Sequence, residues 1–379
     1  MKIVYLAPFY LPVCGGMEQH LQQISKELIK KGHVIEIWTS DLTHSGKLPQ
    51  GELEIDGVKV KRFKTSFKFG FSSYWQNLKY EIEKSDADIF HFHSYRHFHN
   101  FGVNYVKSAK TILSPHWPEY PISTRGVLRT MAAKIFDVLF GKSLFKKYDL
   151  IHVQSLGEKN WVRKYGVPET KIKLVPAGVP ETYLKKQNAK LFLQKFGIKN
   201  KKIILSVGRI HKSKGFDRLV RIAKFLPEDA LIVIIGPDGG YLAKLKNLAK
   251  ELNVEEKVLF TGPLTEEEKL SAYAACYVYC QASYFEGFGL TALEAMAQSK
   301  PVLVSKNIGM SYLLQKASIF GDETELVEKL KELLNNVKLA KQLGASMSKI
   351  AETMTWQNTA EGLERLYFLL RETNNKLTI

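Results

Sequence analysis

Cysteine is scarce in this chain. Among 379 residues there are three cysteines, Cys14, Cys276 and Cys280. Three thiols at these spacings cannot build a disulfide framework or a zinc site made of thiolates. The scarcity favours a reducing compartment, and it excludes the class of small disulfide-stabilised secreted domains.

Long hydrophobic runs are also missing. No stretch of about 18 consecutive apolar residues occurs, which excludes a membrane-spanning helix. The opening run Met-Lys-Ile-Val-Tyr-Leu-Ala leads into Gly15-Gly16 without the small-residue cleavage site of a signal peptide. We interpret this run as a buried first strand. We expect a cytoplasmic protein, either free or peripheral on the cytoplasmic face of the membrane.

Acidic residues are outnumbered by basic ones, 38 against 55, which leaves a formal charge of +17. Such an excess favours phosphorylated substrates, a polyanion or an anionic membrane surface as partners. The basic residues are scattered and no recognised nucleic-acid-binding module is present, so we do not expect nucleic acid as a partner. With 45% apolar and 25% charged residues, the composition is that of a globular protein.

Short β-rich runs alternate with helical patterns along the whole chain, which predicts an α/β fold with parallel sheets. We predict two doubly wound, Rossmann-like domains separated near residue 180 by Val175-Pro-Ala-Gly-Val-Pro180. The domains are 1–180 and 181–355, and a terminal helix from Trp356 to Leu370 lies in 356–379. The predicted elements are Ile3 to Pro8, Met17 to Lys31, Val34 to Thr39, Val58 to Phe63, Ile89 to His93, Thr111 to Ser114, Leu150 to Gln154, Ile203 to Gly208, Phe216 to Phe225, Ala230 to Ile235, Tyr241 to Leu252 and Val258 to Thr261.

A first candidate binding segment runs from Gly208 to Gly215 and places Arg209 and Lys214 between a strand and a helix. Arg offers a bidentate fork and Lys a mobile point charge, and both stabilise negative charge on a departing phosphate. A basic surface loop is the alternative interpretation of this segment.

A second segment combines glycines with two glutamates just before and inside a predicted helix. Its residues are Glu286, Gly287, Phe288, Gly289, Leu290, Thr291 and Glu294. The free amides at a helix N-terminus bind phosphate without a metal, and each carboxylate can accept hydrogen bonds from sugar hydroxyls. Taken alone, two glutamates at this spacing are more often surface or capping residues, and the glycines beside them favour the binding site.

Two further turns are weaker candidates. Leu264 ends a turn after a predicted strand, where exposed backbone groups could hold a nucleobase. Gly15 and Gly16 close the first strand and open a helix, which lets a phosphate or an acceptor approach the backbone. An ordinary tight turn explains either of them equally well.

With these motifs the chain resembles glycosyltransferase family 4 over nearly its whole length. The most specific mark is the spacing of Glu286 and Glu294 around Gly-Phe-Gly, supported by Gly15-Gly16, by Arg209 with Lys214, and by His116 in Leu113-Ser-Pro-His116-Trp117. The resemblance implies the GT-B fold, in which two Rossmann-like domains face each other across a cleft. The N-terminal domain would bind the acceptor and the C-terminal domain the nucleotide sugar.

The resemblance also implies roles for the motif residues. Arg209 and Lys214 would hold the donor diphosphate with the amides around Gly289, Leu290 and Thr291. Glu294 would bind the ribose and Glu286 the sugar hydroxyls. His116 would lie near the reacting centre, so that His116, Arg209, Lys214 and Glu286 form the implied catalytic set. A buried structural histidine is the alternative for His116.

The family resemblance implies a retaining transfer of a hexose from a UDP or GDP sugar to a glycan or lipid-linked hydroxyl, with no metal and no cofactor. The chain departs from the family pattern at Ala177, where an Asn is usual, and in the loop from Asn307 to Leu313. This loop, which contains Tyr312, lacks the usual second glycine and glutamate. A protein with reduced activity is therefore an alternative to an active enzyme.

Several alternatives remain at the level of the sequence. The histidines from His91 to His99 could bind a transition metal, although we favour a structural or acceptor role. The stretch from Ser123 to Lys147 is basic and amphipathic, which fits attachment to an anionic membrane as well as packing inside the first domain. A nucleotide-sugar epimerase of the same fold and a catalytically silent sugar-binding or membrane-binding protein are the other function classes.

Overall fold

The structure is a computed structural model that describes residues 1–13, 15–43, 46–69 and 72–375. It consists of two compact units. Unit 1 contains Met1–Glu119, Gly126–Ala177 and the segment that begins at Trp356, and unit 2 contains Tyr120–Arg125 and Gly178–Thr355. Cys14 lies outside the described residues.

Unit 1 is built on a mostly parallel sheet. Within the described part of this unit the strand order is β10-β9-β8-β7-β1-β2-β4-β3, in which only β3 runs antiparallel to its neighbour, and β5 and β6 form a separate hairpin. The strands are β1 Lys2–Ala7, β2 Val34–Ser40, β3 Gly51–Ile55, β4 Val58–Phe63, β5 Thr65–Phe69, β6 Ser72–Trp75, β7 Ile89–His93, β8 Lys110–Ser114, β9 Leu150–Val153 and β10 Ile172–Leu174.

The helices of the first half are α1 Gly16–Lys30, α2 Leu78–Lys84, α3 Ile122–Arg125, α4 Val127–Phe136, α5 Lys142–Lys147 and α6 Leu156–Arg163. A π-helical turn, Asp137–Gly141, joins α4 to α5, and single 3-10 segments cover Phe98–Tyr105 and Glu169–Lys171. Of these helices, α3 belongs to unit 2.

Unit 2 carries a second sheet, which is parallel throughout. Its order over the described residues is β13-β12-β11-β14-β15-β16. The strands are β11 Lys202–Val207, β12 Ala230–Ile235, β13 Val258–Gly262, β14 Cys276–Gln281, β15 Val302–Ser305 and β16 Ile319–Phe320.

The remaining helices are α7 Glu181–Leu184, α8 Lys190–Lys195, α9 Phe216–Ile222, α10 Leu242–Glu251, α11 Glu266–Ala275, α12 Leu290–Ala297, α13 Glu323–Asn335, α14 Val337–Glu352 and α15 Trp356–Asn375. The 3-10 segments of unit 2 are Lys212–Lys214, Ala223–Phe225, Glu255–Lys257, Gly309–Leu313 and Lys316–Ser318. The terminal helix α15 returns to unit 1, where it packs on α1.

The central strands read as apolar runs because helices cover both faces of a parallel sheet. All six residues of β12 are buried, and Ile3 to Ala7 of β1 are fully buried. The predicted α/β fold class with two doubly wound units is confirmed, and the predicted strands and helices match the observed ones to within a few residues.

Each sheet has one point where the strand order reverses. In unit 1 it lies between β1 and β7, and in unit 2 it lies between β11 and β14. Sheets of this kind bind ligands outside the carboxyl ends of their strands at such a switch point. A ligand site is therefore expected in the loops that follow these four strands.

The basic amphipathic stretch of the sequence is not one continuous helix. Gly126, at φ +83°, separates α3 from α4, and the π-helical turn interrupts the run again. Leu144 and Phe145 are buried in the core of unit 1, which confirms internal packing for those two side chains. In the part of the chain that is described, no helix is both long enough and apolar enough to cross a membrane.

Candidate active site

Lys214 and Glu286 meet at the switch point of unit 2. Lys214 follows β11, Glu286 follows β14, and Lys214 Nζ lies 2.6 Å from Glu286 Oε2. Gln281 Nε2 and Ser283 Oγ donate to the same oxygen at 3.3 Å each. The Lys214 and Glu286 side chains remain 27% and 24% exposed. The ion pair is thus held in place by two further donors and stays accessible to a ligand.

Gly215 allows the Lys214 loop to approach the end of β14. Its φ is +65°, and a Cβ at this position would lie 2.1 Å from the carbonyl oxygen of Ala282. Two residues before Gly215, the Ser213 carbonyl accepts the amide of Tyr284 at 2.9 Å. The cation is therefore brought to Glu286 by backbone contact between two loops.

Helix α12 begins beside Glu286. Its N-cap is Gly289, at φ +116°, so Leu290 and Thr291 contribute amides of the first turn, which have no acceptor within the helix. The Thr291 hydroxyl accepts from Tyr279 at 2.7 Å, and Phe288 is buried just ahead of the cap. This helix start is suited to an anion.

The loop in which the sequence departs from the family pattern forms the back of this helix start. The amide of Glu286 donates to Asn307, the amide of Gly309 donates back to Glu286, and the amide of Met310 donates to Phe288. A Cβ at Gly309 would lie 1.9 Å from the Gly287 carbonyl oxygen. The altered loop still supports the segment that carries Glu286.

Glu294 lies inside α12 and is only 2% exposed. Its Oε2 accepts from the Tyr273 hydroxyl at 2.7 Å, and its Oε1 lies 3.8 Å from Lys269 Nζ. Both partners belong to α11, four residues apart on one helical face. Sequence reasoning found Glu294 but missed these partners, because nothing in the motif indicates which helix packs against it.

The two remaining predicted residues of unit 2 follow β11 and β13, the strands on either side of β12. Arg209 is exposed in the loop after β11, and its side-chain stem passes so close to Gly239 that a Cβ there would lie 2.9 Å from Arg209 Cγ. Leu264 is half-buried, two residues beyond the end of β13. Both positions agree with a ligand that extends across the carboxyl ends of β11, β12 and β13.

In unit 1, α1 begins at Gly16 with Gly15 as its N-cap in an extended conformation. The buried carboxylate of Glu18 folds over this cap, because a Cβ at Gly15 would lie 2.6 Å from Glu18 Oε2. An anion that approached these glycines would therefore meet a carboxylate at the helix start and would have to displace it.

His116 lies just beyond the end of β8 with the unusual φ of +55°. Its Nε2 is 2.9 Å from Nδ1 of His93, which is the last residue of β7 at the switch point of unit 1. Burial, with a smaller contribution from His152, lowers the pKa of His116 to about 3. At neutral pH the His116 ring is therefore uncharged and cannot serve as a cation. Its Nε2 contacts His93, and its Nδ1 is the nitrogen that can donate or accept a further hydrogen bond.

A buried hydrogen-bond chain fixes the histidines behind His116. His152 Nε2 donates to the Val175 carbonyl, so His152 Nδ1 accepts from Ser114, and Ser114 in turn accepts from His91 Nε2. His91 Nδ1 is then left to accept from Tyr367 of α15, whose oxygen accepts from Tyr5. Because the Val175 carbonyl can only accept, it fixes the donor and acceptor at every step of this series of hydrogen bonds, in which every histidine ring is neutral.

The structure thus assigns His91 the structural role favoured from the sequence, since both of its ring nitrogens are occupied. Burial, with neighbouring histidines, lowers the pKa values of His20, His91 and His93. His20 on α1 is a residue that sequence reasoning missed, and its ring lies 6.0 Å from that of His116. Over the described residues, no group of three or more His, Cys, Asp and Glu side chains is arranged to hold a metal ion.

Comparison with known proteins gives the family. A model described as Glycosyltransferase Family 4 matches residues 14–183, and a model described as Glycosyl transferases group 1 matches residues 188–349. The chain is 26% identical to a glycosyltransferase of Methanocaldococcus jannaschii over 83% of each chain. It is 27% identical to the alpha-monoglucosyldiacylglycerol synthase of Streptococcus pneumoniae over 85% of this chain and 74% of that protein.

Among solved structures, the chain resembles Anabaena HepE in complex with UDP and glucose. The TM-score is 0.76 at 15% sequence identity, and the match covers 97% of this chain and 99% of HepE. At this identity the likeness shows the fold alone, and that fold is the GT-B fold. The two family models cover both units, and the chain belongs to glycosyltransferase family 4.

Proposed function

We propose that this glycosyltransferase moves a hexose from a nucleotide diphosphate sugar, with UDP or GDP as the nucleotide, to a hydroxyl group, with retention of anomeric configuration and without a metal. The observation that carries the proposal is the Lys214–Glu286 pair at the switch point of unit 2, beside the N-terminus of α12. HepE, a protein of the same fold, is bound to UDP and glucose, which supports this class of donor.

The Lys214–Glu286 pair can exchange partners when the donor binds. Lys214 would leave the carboxylate for the donor diphosphate, together with Arg209 and the first amides of α12. Glu286 would then be free to accept hydrogen bonds from the sugar hydroxyls, while Gln281 and Ser283 keep it in position. Each side chain therefore has a partner before and after binding.

The nucleoside would extend along the sheet edge from this centre. Glu294 would accept from the ribose hydroxyls, and its contact with Tyr273 fixes the carboxylate in one orientation. The base would lie near Leu264, at the carboxyl end of β13. The base itself and the sugar are set by side chains that these motifs do not include.

In the transfer step the bond between the sugar C1 and the leaving phosphate oxygen breaks while the acceptor oxygen bonds to C1 on the same face. The acceptor proton passes to the departing phosphate, so no protein nucleophile takes part. Arg209, Lys214 and the helix start stabilise the growing negative charge without a metal. His116, held neutral, would orient the sugar or the acceptor by a hydrogen bond.

The test is a thermal-shift and hydrolysis screen against UDP, GDP and ADP sugars with EDTA present. We expect one donor to stabilise the wild type and to be hydrolysed slowly, and Lys214→Ala to lose both responses. Lys250→Ala, which removes an exposed lysine of α10, is the charge-matched control and should behave as the wild type. The proposal fails if no nucleotide sugar binds, and the metal-free chemistry fails if EDTA abolishes turnover.

We also propose that α4, the π-helical turn and α5 bind an anionic membrane surface, where a lipid-linked acceptor would be found. Leu128 and Val138 are 83% and 84% exposed, far more than apolar side chains of this size usually are. Further exposed apolar and basic side chains surround them, namely Val127, Met131, Ile135, Leu139, Arg129, Lys134, Lys142, Lys146 and Lys147.

The combination of protruding apolar side chains and lysines is typical of helices that lie in the interface of an anionic bilayer. The relative named alpha-monoglucosyldiacylglycerol synthase supports a lipid acceptor. In vesicle flotation with phosphatidylglycerol, the wild type should float at low salt, and Leu128→Ser with Val138→Ser should not. Val337→Ser, at a 53% exposed valine of unit 2, is the control. A wild type that stays in the soluble fraction would refute membrane binding.

A further inference from the structure

The backbone of His116 and Trp117 is strained. Both residues have left-handed φ values, +55° and +33°, although neither is glycine. Bulky residues adopt this conformation only where the surrounding structure over-determines it, and such positions cluster at functional sites. The contacts that hold the His116–Trp117 turn come from the first turn of α6.

Glu158 supplies the polar part of that support. It is the third residue of α6, and it is 1% exposed. Its Oε1 accepts the amide of Trp117 at 2.8 Å, and its Oε2 accepts the amide of Gln154 at 2.8 Å. The backbone of His116 also favours the ionised form of this carboxylate and so lowers its pKa slightly. A single buried carboxylate thus binds the amide of Trp117 and interacts with the backbone of His116.

Gly157 supplies the packing part. A Cβ at Gly157 would lie 2.1 Å from Cη2 and 2.4 Å from Cζ3 of Trp117, so the indole rests directly on the bare backbone of α6. Ser155 caps the same turn by accepting the Glu158 amide at 3.1 Å. Gly157 and Glu158 therefore both contact the His116–Trp117 turn, and Ser155 caps the helical turn that carries them.

We propose that the first turn of α6, Ser155 to Glu158, is a cradle that fixes the His116–Trp117 turn, and that Glu158 is a positioning residue for sugar transfer, acting through the placement of His116. This inference rests on the proposed function, in which His116 lies at the reacting centre. The contact of His116 with His93 orients the ring, and the cradle supports the backbone of the turn.

The cradle requires an ionised Glu158, because both carboxylate oxygens accept amide hydrogens. Burial raises the pKa of Glu158, and the backbone amides of Gln154, Trp117 and His116 lower it. Burial has the larger effect, and the pKa is about 7. The titratable and charged groups around the turn are His20, His93, His116, His152 and Glu119. Burial keeps the four histidines neutral near pH 7, so Glu158 is the group that titrates in this range and the cradle loosens as the pH falls below about 7.

The test compares three variants of the full chain. Glu158→Gln places an amide donor against backbone donors. Gly157→Ala keeps the carboxylate and favours helix formation, but it displaces the Trp117 ring. Glu268→Gln is the matched control, because Glu268 occupies the same third position of α11, where it forms a capping box with Thr265 and an ion pair with Lys195.

Two measurements are made on each variant. Hydrogen exchange by mass spectrometry follows the amides of His116 and Trp117 without any substrate. Steady-state hydrolysis of the responding nucleotide sugar gives kcat and KM between pH 5.5 and 8.5. For Glu158→Gln we expect at least roughly tenfold faster exchange at these amides, a kcat lower by about tenfold or more at an unchanged KM, and loss of the acidic limb of the kcat profile near pH 7.

Gly157→Ala should also lower kcat but keep the acidic limb, and Glu268→Gln should match the wild type in all readouts. Unchanged exchange in Glu158→Gln would overturn the cradle. Faster exchange with an unchanged kcat and pH profile would overturn the positioning role. If exchange responds but the wild type hydrolyses no nucleotide sugar, the proposed function has failed, whereas the cradle as a structural support stands.

Discussion

At the scale of single residues, the proposed function makes the ion pair between Lys214 and Glu286 the link between donor binding and sugar recognition. Under that proposal, a nucleotide diphosphate would have to break this pair, whose atoms lie 2.6 Å apart. We expect Glu286→Gln to bind UDP as tightly as the wild type or more tightly, because Lys214 no longer has to leave a carboxylate. Turnover should nevertheless fall by about 10- to 100-fold, since the sugar loses its acceptor.

Calorimetry of UDP binding together with hydrolysis rates checks this prediction. Lys214→Met serves as the opposite case, because it should weaken UDP binding while Glu286 stays available to the sugar. Weaker UDP binding in Glu286→Gln would contradict the exchange of partners, since the carboxylate would then contribute to nucleotide binding itself.

Gly215 is the residue that brings the Lys214 loop close to β14. We expect Gly215→Ala to destabilise the protein by about 2–4 kcal/mol, because the new Cβ adds an overlap with the Ala282 carbonyl to the strain of a positive φ. Gly240→Ala isolates the strain alone, since Gly240 has φ +88° with nothing within 4 Å of its Cβ position. Urea unfolding of both variants gives the difference, and equal losses would exclude the overlap.

At the scale of elements, the contact of Arg96 with Asp137 anchors the exposed helical segment α4 to α5. Arg96 Nε and Nη2 donate to the two oxygens of Asp137 at 2.8 Å and 2.5 Å, and Nη1 donates to the Pro118 carbonyl at 2.6 Å. The Asp137 side chain is only 17% exposed. Arg96→Met would remove the charged partner of this largely buried carboxylate. We expect a loss of about 2–4 kcal/mol, with faster hydrogen exchange concentrated in 127–147.

The double variant Arg96→Met with Asp137→Leu is the control for that prediction. Removal of both charges should recover part of the lost stability, because no unpaired carboxylate is left in the protein. A double variant less stable than Arg96→Met would contradict this expectation, because the loss would then not come from an unpaired Asp137 carboxylate.

Elements with a strong local pattern could be predicted from the sequence. Strand β7 and strand β12 were predicted with their observed bounds. Strand β12 is an apolar run that ends at Gly236, and β7 is a short run of apolar and histidine residues between Asp88 and Ser94. The stretch from Ser123 to Lys147 could not be resolved in this way. Its periodicity is helical throughout, but the contact of Arg96 with Asp137 and the burial of Phe145 depend on residues distant in the sequence.

At the scale of the whole molecule, buried histidines make stability depend on pH. The pKa values of His116 and His152 are lowered by burial to about 3 and about 4, and those of His20, His91, His93 and His99 are lowered as well. The unfolded chain binds protons at these rings near pH 6.5, whereas the folded chain does not. Their stabilising contribution is therefore present above about pH 6.5 and is lost as the pH falls.

For a histidine whose pKa stays below 5 in the folded state, the loss between pH 6.5 and 5 is about 2 kcal/mol. Glu158 acts in the opposite direction, because its raised pKa favours the folded state at lower pH, but it is one group against six. We expect the melting temperature to fall steadily from pH 7.5 to 5, measured by scanning calorimetry. The slope should be shallower in His152→Gln, and a melting temperature independent of pH would refute the assignment of neutral buried rings.

The sequence by itself determined the fold class, the family and the motif residues of unit 2. Apolar strand runs specify parallel sheets, and Lys214, Glu286 and Glu294 lie in local motifs whose spacing is legible along the chain. Only the tertiary structure decided which of these side chains meet and what supports them. The pairing of Lys214 with Glu286, the contact of Glu294 with Tyr273 and the cradle of Glu158 around His116 join distant segments. Such contacts depend on strand order and helix packing, which are set by long-range burial rather than by any local pattern of residues.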